Sequence, residues 1–194
     1  MWQHELLTDI PKRFYSDEEG KLFDHCKICG KYLLDDGTSY FIEKAIKKYD
    51  GYDFHTTIFE YAVCFDCHGV IQGTMSEESV LNLQQYYAKI MKEKGNQPIV
   101  IDINHFDLDA WLSKCFFTGD PVSQMKEYQL VAQFNGEKMV MNTPPMIVGE
   151  AAMEQMASLL SEKTTDEMNG FRDQFLGPDP ELEELIYGKK LLLI

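Results

Sequence analysis

His25-Cys26-Lys27-Ile28-Cys29-Gly30-Lys31 and Val63-Cys64-Phe65-Asp66-Cys67-His68 each carry a C-x-x-C pair, with 34 residues between Cys29 and Cys64. A C-x-x-C turn sets two thiolates along one edge of a metal's coordination shell, and two such turns complete a tetrahedron. Gly30 directly follows the second thiolate, where a tight turn with its amides aimed at sulfur calls for positive φ. Four thiolates around a divalent ion leave a formal charge of −2, and Lys27 and Lys31 are placed to offset part of it. Cys26, Cys29, Cys64 and Cys67 are therefore the expected metal ligands. Zinc is the preferred ion, and iron in a rubredoxin-like site is the alternative, because tetrahedral sulfur ligation suits both. Four thiolates close the shell, so the metal is expected to be structural and not catalytic.

Outward from the cysteines, residues 39–46 alternate as a half-buried strand, and the β-branched and aromatic run 56–63 reads as its hairpin partner. Asp50-Gly51-Tyr52-Asp53 is the expected connecting loop. After a break at Gly73, Ser76 is a good N-cap, and Glu77 and Glu78 favour the positive end of a helix. Val80, Leu83, Tyr87, Ile90 and Met91 recur at helical spacing to give that helix one apolar face. Over residues 21–94 this order resembles a treble-clef or zinc-ribbon module, carried by Cys26, Cys29, Gly30, Cys64 and Cys67. The resemblance implies a metal-binding scaffold and no particular activity. It does not extend to the treble-clef nucleases of the HNH type. His55 is the one histidine between the pairs, and it lacks their adjoining second histidine. Cys64-x-x-Cys67-His68 also matches a c-type haem attachment motif, but no leader is read at the N-terminus and the upstream pair would go unexplained.

Gly95 and Pro98 suggest a helix stop and a linker. The fold class expected is α+β: a four-cysteine knuckle-hairpin-helix module over residues 1–95, then an acidic α+β domain over 96–194. In the second part residues 98–103 read as a strand and 106–114 as a short helix around Trp111. Asn135-Gly136 signals a type I′ hairpin between 127–134 and 138–142. Residues 150–160 read as a helix, as do 165–175 capped by Thr165 and an acidic segment 180–187. No internal repeat is read in the chain.

Composition narrows function. Lys and Arg total 18 against 32 Asp and Glu, a net charge of −14, divided as −5 before residue 95 and −9 after it. A phosphate backbone needs surplus cations, so nucleic acid is an unlikely partner. The cluster of Lys44, Lys47 and Lys48 among tyrosines is the one basic patch, read as a solvated strand edge that blocks aggregation. No apolar run is long enough to span a membrane. Patterned cysteines without a signal peptide suggest the cytoplasm. Cys115 is read as a core cysteine, though His105 would be its base if it were a nucleophile. His25 and His68 are read as neighbours of the ligands. Asp102, Asp107 and Asp109 are read as a solvated turn, and the methionines of the second half as core. The leading expectation is a metal-binding protein that acts through an unknown protein partner, more an interaction module than an enzyme. The alternatives are an enzyme with its site in the second part or a cleft, and a weakly nucleic-acid-associated protein.

Overall fold

In the computed structural model, which describes residues 6–49, 51, 54–95 and 105–176, the chain opens with a short strand, β1 (Leu7–Asp9). A 3-10 turn at Lys12–Phe14 then buries Phe14 completely. The β-branched and aromatic runs form β2 (Ser39–Lys48) and β3 (His55–Cys64), paired antiparallel as the alternation predicts. Two helices follow, α1 (Phe65–Thr74) and α2 (Glu77–Glu93), and then a one-turn helix, α3 (Leu108–Trp111). The second half supplies β4 (Glu127–Asn135), β5 (Lys138–Val140) and β6 (Met146–Gly149), and ends in α4 (Glu150–Ala157) and α5 (Glu162–Phe175). The architecture is thus α+β, with helices on an antiparallel sheet and a cluster of cysteines beside it. The strand expected at 98–103 and the acidic helix at 180–187 lie outside the described residues.

The six strands form one sheet in the order β1-β5-β4-β2-β3, with β6 also paired to β4. Its centre is the pairing of β2 with β4, which runs from Ser39 opposite Asn135 to Lys47 opposite Glu127. The boundary expected near residue 95 therefore cuts across a continuous sheet. It cuts across a continuous core as well. Tyr40 stacks on Phe134 with ring centroids 5.3 Å apart, and Phe14 meets the edge of Phe134 at the same separation. The apolar pattern of each half left one strand face and one strand edge to be covered, and the other half covers both.

That pairing also overturns the reading of the three lysines as a solvated edge, because β2 has a partner on each side. Lys44 is 1% exposed and sits directly opposite Glu60 of β3. Its ammonium reaches Asp17 at 2.8 Å, Glu60 at 3.1 Å and the Tyr15 carbonyl at 2.8 Å. Lys47 pairs with Glu127 at 2.9 Å, and Lys48 donates to the Val122 carbonyl at 3.1 Å. All three cations are engaged within the fold.

Several local expectations shift by a few residues. α1 begins directly after Cys64, where a break was expected at Gly73; its two glycines and weak apolar stripe hide it from pattern reading. Ser76 caps α2 as expected, accepting from the Ser79 amide. The buried face of α2 centres on Ser79 and Ile90, however, and Tyr87 is 44% exposed. α5 is capped by Ser161 and not by Thr165. At the β4–β5 turn Asn135 already pairs with Lys138, so Gly136 and Glu137 form the loop. Gly136 is needed there: its φ is 53°, and a Cβ would lie 3.1 Å from the Asp35 carbonyl oxygen. Met125, Met139, Met141 and Met156 are buried, as core methionines.

An internal repeat, not read in the sequence, emerges from the hydrogen bonds. In the turn at Cys26 the Cys26 amide donates to the Lys31 carbonyl (2.8 Å) and the Gly30 amide to the Cys26 carbonyl (2.9 Å), with Gly30 at φ 70°. At Cys115 the amide donates to the Asp120 carbonyl (2.8 Å), the Gly119 amide donates to the Cys115 carbonyl (3.0 Å), and Gly119 has φ 79°. The next residue docks each turn on a strand: Lys27 on the Ala62 carbonyl at 2.9 Å, Phe116 on the Ile147 carbonyl at 2.8 Å. Tyr40 of β2 lies opposite Cys64, the last residue of β3, and Tyr128 of β4 lies opposite Gly149, the last residue of β6. A helix starts at the following residue in both cases, and a second helix capped by serine follows that. The equivalent strands β2 and β4 meet antiparallel, which relates the two copies by an approximate two-fold axis through the sheet centre.

The helices exchange partners about that axis. α5 lies against α1, and α2 is tied to the second copy by Asn82 donating to the Leu159 carbonyl (3.1 Å) and Tyr86 to Gln155 (2.9 Å). Where the N-termini of α2 and α5 meet, the cap hydroxyls of Ser76 and Ser161 are 2.8 Å apart. The Ser76 amide donates to Thr164 Oγ1 and the Ser161 amide to Ser79 Oγ, each at 2.9 Å. Ser79 and Thr164 are fully buried, so each helix start is closed by hydroxyls of the other.

Candidate metal centre

The two C-x-x-C pairs arrive by different routes. Cys26 and Cys29 stand on the tight turn closed by the hydrogen bonds of Cys26 and Gly30, and the Leu33 amide donates to the Asp24 carbonyl at its base (2.9 Å). Cys64 is the last residue of β3 and Cys67 lies in the first turn of α1. Docking of Lys27 on the Ala62 carbonyl brings the turn against the end of β3. The result is that one sulfur from each of Cys26, Cys29, Cys64 and Cys67 lies within 4.8 Å of all the others. The four residues read from the sequence are brought together, and they can hold a metal ion.

The local geometry suits a thiolate shell. Cys29 Sγ and Cys64 Sγ are 3.8 Å apart. A tetrahedron with metal–sulfur bonds of ~2.3 Å has edges of about 3.8 Å. Cys26 and Cys64 are buried, Cys67 is half-buried and Cys29 faces solvent. The Cys64 amide donates to Cys26 Sγ at 3.4 Å. Burial raises the Cys26 thiol, but the amides of Cys29, Cys64 and Ile28 outweigh it and bring the pKa down to about 7. Burial pushes Cys64 up, and the neighbouring sulfurs of Cys26 and Cys29 add to this against the Cys67 amide. Burial together with Cys29, Cys64 and Cys26 pushes Cys67 up as well. One thiolate is thus favoured by amides and its neighbours are opposed by it. Like charges at such spacing ionise together only around a cation. The first turn of α1 contributes one donor to the cluster, the Cys67 amide to the Cys64 sulfur.

The residues flanking the pairs have other occupations. His25 bonds Asp24 at 2.8 Å and meets the edge of Tyr32. His68 packs on Phe41, with ring centroids 4.4 Å apart, and burial lowers its pKa. Lys31 lies 3.5 Å from Asp66 across the turn and α1. Asp107 caps α3 and Asp109 pairs with Arg13. Cys115 is buried, and its sulfur accepts from the Thr118 amide (3.5 Å) and the Gly149 amide (3.4 Å). Its burial agrees with the reading of Cys115 as a core cysteine, and its place in a second turn is what that reading lacks. The signal that could have placed it is C-x-x-x-G, which occurs at Cys26–Gly30 and again at Cys115–Gly119.

No protein-family model, curated protein or solved structure matches the chain. No helix among the described residues is long and apolar enough to cross a membrane.

Proposed function

We propose that residues 24–74, together with α2, form a treble-clef-type module that holds one structural Zn²⁺ on Cys26, Cys29, Cys64 and Cys67. The observation that carries this reading is the meeting of four sulfurs within 4.8 Å from two C-x-x-C segments. The order of turn, hairpin and helix supports it, with two ligands on a tight turn and two at the entry to a helix. Zinc is favoured over iron because the four-thiolate set accepts either ion and the chain shows no sign of electron transfer. Four protein ligands leave no position for water or substrate, so the ion acts on the fold and not on a reaction. In this reading the protein works through protein partners, presenting an acidic surface on a metal-held frame.

Elemental analysis of the purified protein tests the site. One zinc per chain is expected in the wild type, with loss of that zinc in Cys26→Ser or Cys67→Ser and retention in Cys115→Ser. Native protein that is folded and metal-free, with the paired cysteines reacting as free thiols, would overturn the reading. One iron per chain with visible thiolate-to-iron absorption would replace zinc and keep the site. For the interaction role, quantitative capture from lysate is compared between native protein and the Cys26→Ser variant; identical partners in both count against a metal-held interaction frame.

A further inference from the structure

The repeat extends to the metal centre itself. Cys115 occupies the position of Cys26, and the three remaining ligand positions fall on Thr118, Gly149 and Ala152, equivalent to Cys29, Cys64 and Cys67. Two amide donors to the sulfur recur at equivalent positions in both copies. Cys26 accepts from the amides of Cys29 and Cys64, with Ile28 as a third donor, and Cys115 accepts from the two equivalents, Thr118 and Gly149. Both junction amides lie 3.4 Å from the sulfur. What differs is the occupant of the space between turn and junction. A Cβ built on Gly149 would meet Met125 Sδ and Cε at 2.9 Å. Met125 is itself buried, as are Ala152 and Cys115. A side chain at 149 would therefore be directed at the Met125 thioether, as Cys64 is directed at the cluster of sulfurs.

We propose that the Cys115 turn and the Gly149 junction form a metal-free copy of the four-thiolate site, in which the Met125 thioether takes the place of the divalent cation. The proposal rests on the metal reading of the first copy. A methionine is suited to this substitution, because an unbranched, polarisable side chain fills an irregular gap without a fixed geometry. The single retained sulfur keeps its two amide donors satisfied, and glycine at 149 keeps the space beneath it open for the thioether. One half of the molecule is then held by an ion and the other by packing, on the same backbone plan.

The test restores the ligands. A variant carrying Thr118→Cys, Gly149→Cys, Ala152→Cys and Met125→Ala is titrated with Co²⁺ beside the wild type, reading the thiolate-to-cobalt absorption per chain, with zinc content measured in parallel. One equivalent in the wild type and two in the variant are expected. Two also requires both ions to show tetrahedral ligand-field bands. A folded variant that binds one equivalent overturns the inference and leaves the first site standing. Zero in the wild type removes the metal reading on which the inference rests. Should the fourfold variant fail to fold, the pair Gly149→Leu and Met125→Ala decides. Gly149→Leu alone should lower the melting midpoint by roughly 5 °C, because its side chain needs the volume the thioether fills and exceeds what the flexible end of Met125 can yield. In the Met125→Ala background that loss should vanish. An equal loss in both backgrounds places Met125 elsewhere and overturns the inference.

Discussion

Lys44 shows at the residue scale how a charge is kept inside a sheet. Its ammonium is 1% exposed, yet Asp17, Glu60 and the Tyr15 carbonyl complete its shell. Burial raises the Glu60 carboxyl, but the Asp17 amide, Ser16, the Glu18 amide and Lys44 together hold it below its ordinary value. Asp17 is lowered likewise, as its bonds with Lys44 and Thr57 exceed its desolvation. Depressed carboxylates contribute stability above their unfolded pKa, and that contribution is lost as pH falls through the folded value. Stability of the wild type should therefore decline from about pH 5 downward as these two groups protonate. Lys44→Met should cost about 3 kcal/mol at pH 7, since it leaves Glu60 buried without its cation, and should make the acid decline shallower. Urea unfolding at pH 7 and pH 3.5 measures both. Equal losses at the two pH values would show that the pair does not carry the acid response. At this scale the four clustering cysteines were legible, because C-x-x-C is a local spacing. The environment of Lys44 was not, because its partners lie 16 to 29 positions away in sequence; strand pairing brings Glu60, and the non-strand segment after the 3-10 turn brings Tyr15 and Asp17.

Among the elements, the helix starts show the clearest division between what is local and what is not. Ser76 is readable as an N-cap from its own neighbours, and the structure bears this out. Nothing local says that Thr164 accepts from the Ser76 amide, or Ser79 from the Ser161 amide. The four hydroxyls therefore act as one unit between α2 and α5. Ser76→Ala should cost about 1 kcal/mol through the lost cap, and Ser161→Ala a similar amount. The double variant should cost measurably less or more than the sum, by about 0.5 kcal/mol or beyond, because the hydroxyls are direct partners. Thermal or urea unfolding of the four members of this cycle checks it, and strict additivity would mean the caps work separately. α1 went unread for a related reason: it is set by the end of β3 and by the cysteine turn docked there, and its own sequence carries two glycines and little apolar periodicity.

For the molecule as a whole, two copies of one plan share a sheet, and neither closes its own core. The fold class and most elements were legible from periodicity; their merger was not, because pairing of β2 with β4 joins residues 80 to 96 positions apart. Gly95 and Pro98 mark a linker in the sequence, but β2 takes its second neighbour, β4, from beyond it. The repeat was hidden because side chains diverged while backbone hydrogen bonds were kept: Glu43 and Lys44 at the centre of β2 correspond to Val131 and Ala132 in β4. A fragment of residues 1–95 should bind one metal ion yet self-associate, which light scattering would detect. A monomeric, fully folded fragment would show that the first copy is self-sufficient. The central position of β2 also bears on the order of events during synthesis. The cysteine turn and the β2–β3 hairpin can assemble while β4 is still being made, since the hydrogen bonds that join the two to each other lie within residues already released. During that interval the edge of β2 is open, and Lys47 and Lys48, whose partners Glu127 and Val122 come later in the chain, stand along an unfilled margin. Two charges that end engaged with the second half of the chain thus first guard the nascent strand against pairing with the wrong neighbour.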